Sequence, residues 1–326
     1  MISLLPLSAV LVGLYRLLAL RFHWFDTPNE RSSHSVATPR GGGIVFAGLI
    51  TAAGPLLVSS TAAIVSLALA GCVALVGWCD DLRGISARYR FGLYWLIAIA
   101  LMLTSGLVPS SDWNGPMLCG AIVCSLALLW LTNLYNFMDG INGIAGVEAI
   151  FVFGSILWLG ADTPFSEHFG PVIWAAALTV AGFLLWNFPS GKLFMGDAGS
   201  AYLGALLGLF ILWSAENGGP ALHSWLILLA IFIVDASYTL AVRLLTRQRW
   251  HAAHRLHAYQ RLSAKLRSHP ATVGLVCLVN LGWLLPWAWA VEQNLVGGSI
   301  AITLSYAPII GACWYLKAGM EEFTAV

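Results

Sequence analysis

The chain has 326 residues, of which 59% are hydrophobic and 10% charged, with a mean hydropathy of +0.81. Soluble globular domains carry about 25% charged residues, so this composition excludes a water-facing surface and implies a multi-spanning helical membrane protein. The net charge of +1 excludes little as a total, and no nucleic-acid partner is expected.

The first stretch, MISLLPLSAVLVGLYRLLAL, lacks a basic start, and no small-residue cleavage pattern follows it. It reads as a retained first helix at 1–20. Apolar runs then recur at 43–59, 62–79, 91–108, 117–133, 144–160, 171–187, 200–215, 222–242, 272–290 and 298–316, each near the length a span needs. Turn residues break them, as in VPSSDWNGP and AENGGP. The gaps near 60 and at 109–116, 161–170, 216–221 and 291–297 hold no Lys or Arg. The opposite side holds 15 of the 16 basic residues, and Arg16 alone lies within a span. By the positive-inside rule the N-terminus is outside and the C-terminus cytoplasmic. Six cysteines without a CxxC pair read as small apolar packing residues. The 15 tryptophans read mostly as interface belts. No repeat or linker divides residues 1–326, so a single domain is expected. The expected fold is an all-α polytopic bundle of about eleven transmembrane helices.

Five polar segments then face the cytoplasm together: 25–43, 80–90, 132–146, 188–200 and 243–270. A transporter would place ionisable groups near the bilayer midplane. Here most carboxylates sit at cytoplasmic helix ends, which favours an enzyme at the interface. Asp80, Asp81, Asp139 and Asp197 are hard oxygen ligands, and Asn133, Asn136 and Asn142 add amide carbonyls. Such a set suits Mg²⁺, which takes a few carboxylates plus substrate phosphates. The arginines and histidines suit phosphate oxygens, and Gly41, Gly42 and Gly43 allow close backbone approach to a ligand. Carboxylates, Mg²⁺ and basic groups together are the requirements of phosphoryl transfer.

DTPNERSSHSVATPRGGG, the paired aspartates at 80–81, NLYNFMDGINGIAG, FMGDAGS and HAAHRLHAYQRL occur in this order. Together they resemble the loops of the polyprenyl-phosphate N-acetylhexosamine-1-phosphate transferases, glycosyltransferase family 4, over nearly the whole chain. The last loop is most similar to that of bacterial members that start O-antigen or related glycans. The resemblance implies transfer of a sugar 1-phosphate from a UDP-N-acetylhexosamine to undecaprenyl phosphate in the lipid bilayer, with release of UMP. It implies Mg²⁺, with Mn²⁺ as a substitute, and leaves a homodimer open. Two positions depart from the family pattern. Asn142 stands where bacterial members usually carry a second aspartate, and Arg90 stands where a lysine is common, a planar fork in place of a point charge.

The resemblance assigns Asp197 and Asn136 to the metal and Asp80 and Asp81 to activation of the acceptor phosphate. Asn142 and Phe194 would read and stack the uracil, with Asn133 and Asp139 beside them. Arg255, His254, His257, Arg90, His34 and Arg40 would contact phosphate or sugar. The bland alternatives are a helix N-cap for Asp197, a helix-end cap for Asn136, packing for Phe194 and a solvated basic loop for His34 and Arg40. Glu148 and Asp235 lie inside expected spans and receive no catalytic role; Asp235 is expected to pair with Arg243 or a helix end. The competing functions are a transporter or flippase of a lipid-linked glycan, a CDP-alcohol phosphotransferase, and the peptidoglycan-precursor branch of the same family. The second lacks its GxxxDxxxD motif, and the third its HHH run.

Overall fold

The computed structural model describes residues 2–28, 36–107, 114–249 and 254–321. Helix α1 (Leu4–Arg21) leads into strands β1 (Phe25–Asp26) and β2 (Thr38–Pro39), which pair antiparallel with Phe25 opposite Pro39. There follow α2 (Gly43–Leu57), α3 (Thr61–Arg83), α4 (Ala87–Thr104), α5 (Gly115–Phe137), α6 (Ile144–Leu159), α7 (Pro164–Asn187) and α8 (Asp197–Glu216). Short α9 (Leu222–Leu228) meets α10 (Ala230–Leu245), and α11 (Ala258–Leu266) precedes α12 (His269–Val279), α13 (Leu285–Glu292) and α14 (Gly298–Tyr315). Helices α12 and α13 are joined by a π turn at Asn280–Leu284. There the Asn280 amide donates to buried Glu148 of α6 at 2.6 Å.

Each expected apolar run falls on one of these helices or on a pair. Among the described residues six are long and apolar enough to cross a bilayer: α1, α3, α5, α7, α8 and the run His269–Glu292. Helices α9 and α10 add a seventh crossing if taken together. The protein is an all-α, multi-pass membrane protein. By length and composition alone the described residues therefore give six or seven full-length spans, and the count of about eleven stays an expectation. Helix α2, with 15 residues, rises only about 22 Å against a hydrocarbon core of about 30 Å.

Three boundaries differ from the sequence reading. The run at 222–242 is a pair bent by 72° between Leu228 and Ala230, with no Gly or Pro at the break to announce it. The segment 243–270 is not all loop, since α11 forms within it. Helix α7 starts at Pro164 rather than 171, because the Thr163 hydroxyl accepts from the Ser166 N–H at 3.3 Å and proline suits the first helical position.

The bundle is organised around α8, which is almost wholly buried. Small residues make that possible. A Cβ on Gly204 would lie 2.6 Å from the Leu131 carbonyl oxygen, so α5 and α8 touch backbone to backbone. At the start of α8, a Cβ on Gly43 would lie 2.2 Å from the Gly199 Cα, and one on Gly77 would lie 2.5 Å from the Asp197 carbonyl carbon. The first turn of α2, the last turns of α3 and the first turn of α8 therefore converge. At the other end of α8 the core is aromatic, with Trp213 stacked on Phe169 at 4.3 Å.

Candidate active site

The convergence at the start of α8 gathers the carboxylates. Helix α3 stops because Gly84 takes a left-handed conformation (φ 69°) and its N–H donates to the Asp80 carbonyl at 2.9 Å. Asp81 then lies against the N-terminus of α8. Its two carboxylate oxygens accept the N–H groups of Asp197 and Ala198, each at 3.1 Å. A negative charge is favoured at a helix N-terminus. Arg40 adds two contacts to Asp81 Oδ1, at 2.7 and 3.1 Å, and the Asp81 side chain is only 1% exposed. Gly196 (φ 73°) makes room, since a Cβ there would lie 2.3 Å from Asp81 Oδ2.

Asp80 accepts from the Ile85 N–H at 2.5 Å and from Arg90, whose guanidinium also reaches Asp197. The repulsion between neighbouring aspartates is thus divided, Asp81 facing Arg40 and Asp80 facing Arg90. Asp197 accepts from the Asn136 amide at 2.9 Å, and the same amide donates to the Ser200 hydroxyl at 2.9 Å. Asp139 is half-buried in the turn after α5. Burial, then the charges of Asp197 and Asp81, push its carboxyl well above the usual carboxylate range. It belongs electrostatically to this cluster.

Backbone bonds fasten the loops together. Gly42 and Gly43 donate to the carbonyls of Phe194 and Met195 at 3.0 and 2.8 Å, and the Phe194 N–H donates to the Pro39 carbonyl at 2.8 Å. Tyr15 donates to the Arg40 carbonyl and accepts from the Trp78 indole, both at 3.1 Å. Asn142 donates its amide to the Pro189 carbonyl at 3.1 Å, placing it beside the loop that carries Phe194. Asn133 turns back to its own helix, donating to the Leu129 carbonyl at 2.7 Å. His34 lies outside the described residues.

The histidine loop is held from the membrane side. Asp235 of α10 accepts the N–H groups of Ala258 and Tyr259, both at 2.9 Å, and lies 3.2 Å from His257 Nδ1. The intramembrane acid therefore caps α11, the helix-end alternative expected for it; Arg243 bonds instead to Gln248 and the Arg249 carbonyl. His257 is buried, with its Nδ1 turned to Asp235 and its ring stacked against Phe137. His254 lies 5.0 Å from it, ring to ring. Burial, His257 and Arg243 push the His254 imidazole down to about 3, so at neutral pH it meets a ligand uncharged. Arg255 is half-buried beside them. Tyr259 donates to the Phe137 carbonyl at 3.0 Å, which fastens α11 to the loop carrying Asp139.

Three contributors escaped the sequence reading. Asn187 accepts from the Gly143 N–H at 2.7 Å and donates to the Leu193 carbonyl at 3.0 Å, stitching two site loops together. Tyr15 and Trp78 brace Arg40. Nothing in the sequence distinguished these from packing residues, whereas Asp235, an acid inside an apolar run, did carry a signal.

Among the described residues no three His, Cys, Asp or Glu side chains form a ready-made cage. The cluster instead offers Asp197, the neighbouring carboxylates and the amide of Asn136, the small oxygen set that Mg²⁺ uses when substrate phosphates complete its shell.

The family model described as "Glycosyl transferase family 4" matches residues 63–215, which span α3 to α8 and hold the whole carboxylate cluster. A probable undecaprenyl-phosphate N-acetylglucosaminyl 1-phosphate transferase of Bacillus subtilis is 26% identical over 286 residues, covering 83% of this chain and 78% of that protein. A decaprenyl-phosphate N-acetylglucosaminephosphotransferase of Mycolicibacterium smegmatis is 28% identical over 328 residues, covering 85% and 79%. An undecaprenyl-phosphate alpha-N-acetylglucosaminyl 1-phosphate transferase of Yersinia pestis is 31% identical over 244 residues, covering 68% and 64%. The order of the loop motifs, the cluster they build and these matches agree: the chain belongs to glycosyl transferase family 4, among the polyprenyl-phosphate N-acetylhexosamine-1-phosphate transferases.

Proposed function

We propose that the chain transfers N-acetylglucosamine 1-phosphate, or that of a 6-deoxy relative such as FucNAc or QuiNAc, from its UDP-sugar to undecaprenyl phosphate. UMP leaves, and the product starts a lipid-linked surface glycan of the O-antigen type at the cytoplasmic face of the inner membrane. The names of the bacterial relatives support N-acetylglucosamine and the polyprenyl phosphate. One observation carries the reading: the Asp80–Asp81 pair and the distant Asp197 share two arginines at the N-terminus of α8. Sites for transferring phosphoryl groups need such a balance of acidic and basic groups.

The two aspartates divide the roles. Asp81 is committed to the α8 N-terminus and to Arg40, so it braces the site. Asp80 is held on one side by a side chain that can move, Arg90, and is the better candidate to orient the acceptor phosphate or take its proton. A phosphate oxygen of the acceptor then attacks the β-phosphorus of the donor, and the bond to the UMP oxygen breaks. Arg40 and Arg90 can follow the phosphate oxygens as charge shifts. Mg²⁺ held by Asp197 and Asn136 would supply neutralisation of the diphosphate charge. Asn142, Phe194, Asn133 and Asp139 would hold the uridine side, and Arg255 and His254 the sugar or diphosphate.

The test uses detergent-purified protein, undecaprenyl phosphate, Mg²⁺ and a panel of UDP-N-acetylhexosamines. Mg²⁺-dependent UMP release from one sugar, abolished in Asp197→Ala, is the expected result. A folded protein that releases UMP from none of them would reverse the assignment in favour of a transporter.

A further inference from the structure

Beside α11 lies a cleft of about 320 Å³ lined by none of Asp80, Asp81, Asp139, Asp197, Arg40 and Arg90. Its floor is α10 at Ile231 and Asp235, and its roof is α11 at Leu262. Its walls are α12 with the π turn and α14. Helix α13 packs on α14, and the cleft lies between α14 and α12. Leu275, Val279 and Trp283 on one lip are exposed, as are Pro308 and Ala312 on the other. Both walls depart from regular α-helix here, one by the π turn and one by a proline inside α14. Such π turns recur at functional sites.

Basic residues border the cleft without lining it. Where the roof meets α14, Lys265 lies 4.7 Å over the Tyr315 ring and Arg261 donates to the Met320 carbonyl. Lys317 is exposed one residue after the lining residue Leu316. An apolar cleft among apolar helices, with cations bordering it on α11 and after α14, matches an amphiphile with an anionic head. The acceptor lipid is the poorer match. Its phosphate must reach Asp80 and Asp197, but the arginines paired with those carboxylates and with Asp81 are Arg40 and Arg90, on other elements. Asp235, at the floor, is already occupied by α11.

We propose that this cleft seats one acyl chain of an anionic glycerophospholipid from the surrounding leaflet, with its phosphate at Arg261, Lys265 and Lys317. The seated lipid supports α11, and α11 holds the Phe137 carbonyl through Tyr259. Lipid composition would then reach the site loop that carries Asp139.

Native mass spectrometry of the full chain, offered phosphatidylglycerol and phosphatidylcholine, tests the binding whether or not the chain transfers sugar phosphate. Wild type should retain one phosphatidylglycerol in preference. Lys265→Gln, at an exposed position, should weaken that preference about fivefold. Ala312→Trp, which fills the mouth, should lose the retained lipid at an unchanged melting temperature. No headgroup preference in wild type, or unaltered retention in both variants, would overturn the proposal. Displacement of the retained lipid one for one by undecaprenyl phosphate would also overturn it, and would give the cleft to the acceptor's tail.

Discussion

Asp80 and Asp81 adjoin in sequence, yet their surroundings ask different things of them. Asp81 accepts two backbone N–H groups and a forked arginine while almost wholly buried. Removing one partner of a buried, hydrogen-bonded ion pair costs about 3–5 kcal/mol. Asp81→Ala should therefore lower the melting temperature markedly as well as abolish UMP release. Asp80→Asn keeps its shape and its bond from the Ile85 N–H. It should cut the rate about 100-fold or more, the scale of a lost proton-transfer group, and leave the melting temperature near wild type. Asp139 has the opposite relation to stability. Its carboxyl is raised by burial and by its acidic neighbours, so the fold disfavours the ionised form. The wild-type protein is then penalised as pH rises from the ordinary carboxylate range toward that raised value. Asp139→Asn removes the penalty. Its melting temperature should exceed wild type at pH 8, with the gap closing toward pH 4, even as activity falls. Melting curves across that range check the sign.

The junction of α2, α3 and α8 shows what the sequence could and could not convey. The run Gly41–Gly43 was legible as a place of close backbone approach, but the expected partner was a ligand. In the structure Gly43 meets the backbone of α8 at Gly199, and the strand before it hydrogen-bonds to the Phe194–Met195 backbone. Glycine tells that something comes near, not what. Gly43→Ala should force α2 away from α8, with an overpacking penalty of about 1–3 kcal/mol and a large loss of UMP release. Gly48→Ala, in the same helix with nothing within 4 Å of the added carbon, should change neither. The motif residues were legible because their chemistry is unusual in an apolar chain. Helix α11 and the bend between α9 and α10 were not. The first is short and lies in a basic stretch that resembles loop, and the second contains no residue that breaks helices. Asp235 lies between these cases: its type marked it as important, but only the structure shows it capping α11 from the membrane side.

Across the chain as a whole, the segments expected on one side do meet. Loops after α1, α3, α5, α7 and α10 are joined by the bonds of Arg40, Arg90, Asn136, Asn187 and Asp235. Among the described residues, the turns at the other helix ends hold acids without a Lys or Arg partner, as where Glu292 accepts from the Ala221 N–H at 2.8 Å and the Ser224 hydroxyl at 2.5 Å. This separation of charge lets the orientation be tested without reference to the number of crossings. The proposed donor, a UDP-sugar, would be supplied from the cytoplasm, where positive charge is also expected to be retained, so the proposal requires the carboxylate cluster to face inside. In a background with its six cysteines replaced, a single cysteine at Asn217 or Asn294 should react with a membrane-impermeant maleimide in intact cells. One at Ser86 or Arg267 should react only after the membrane is opened. The reverse pattern would set the cluster on the side that lacks the nucleotide donor, and the proposed reaction would then have no substrate.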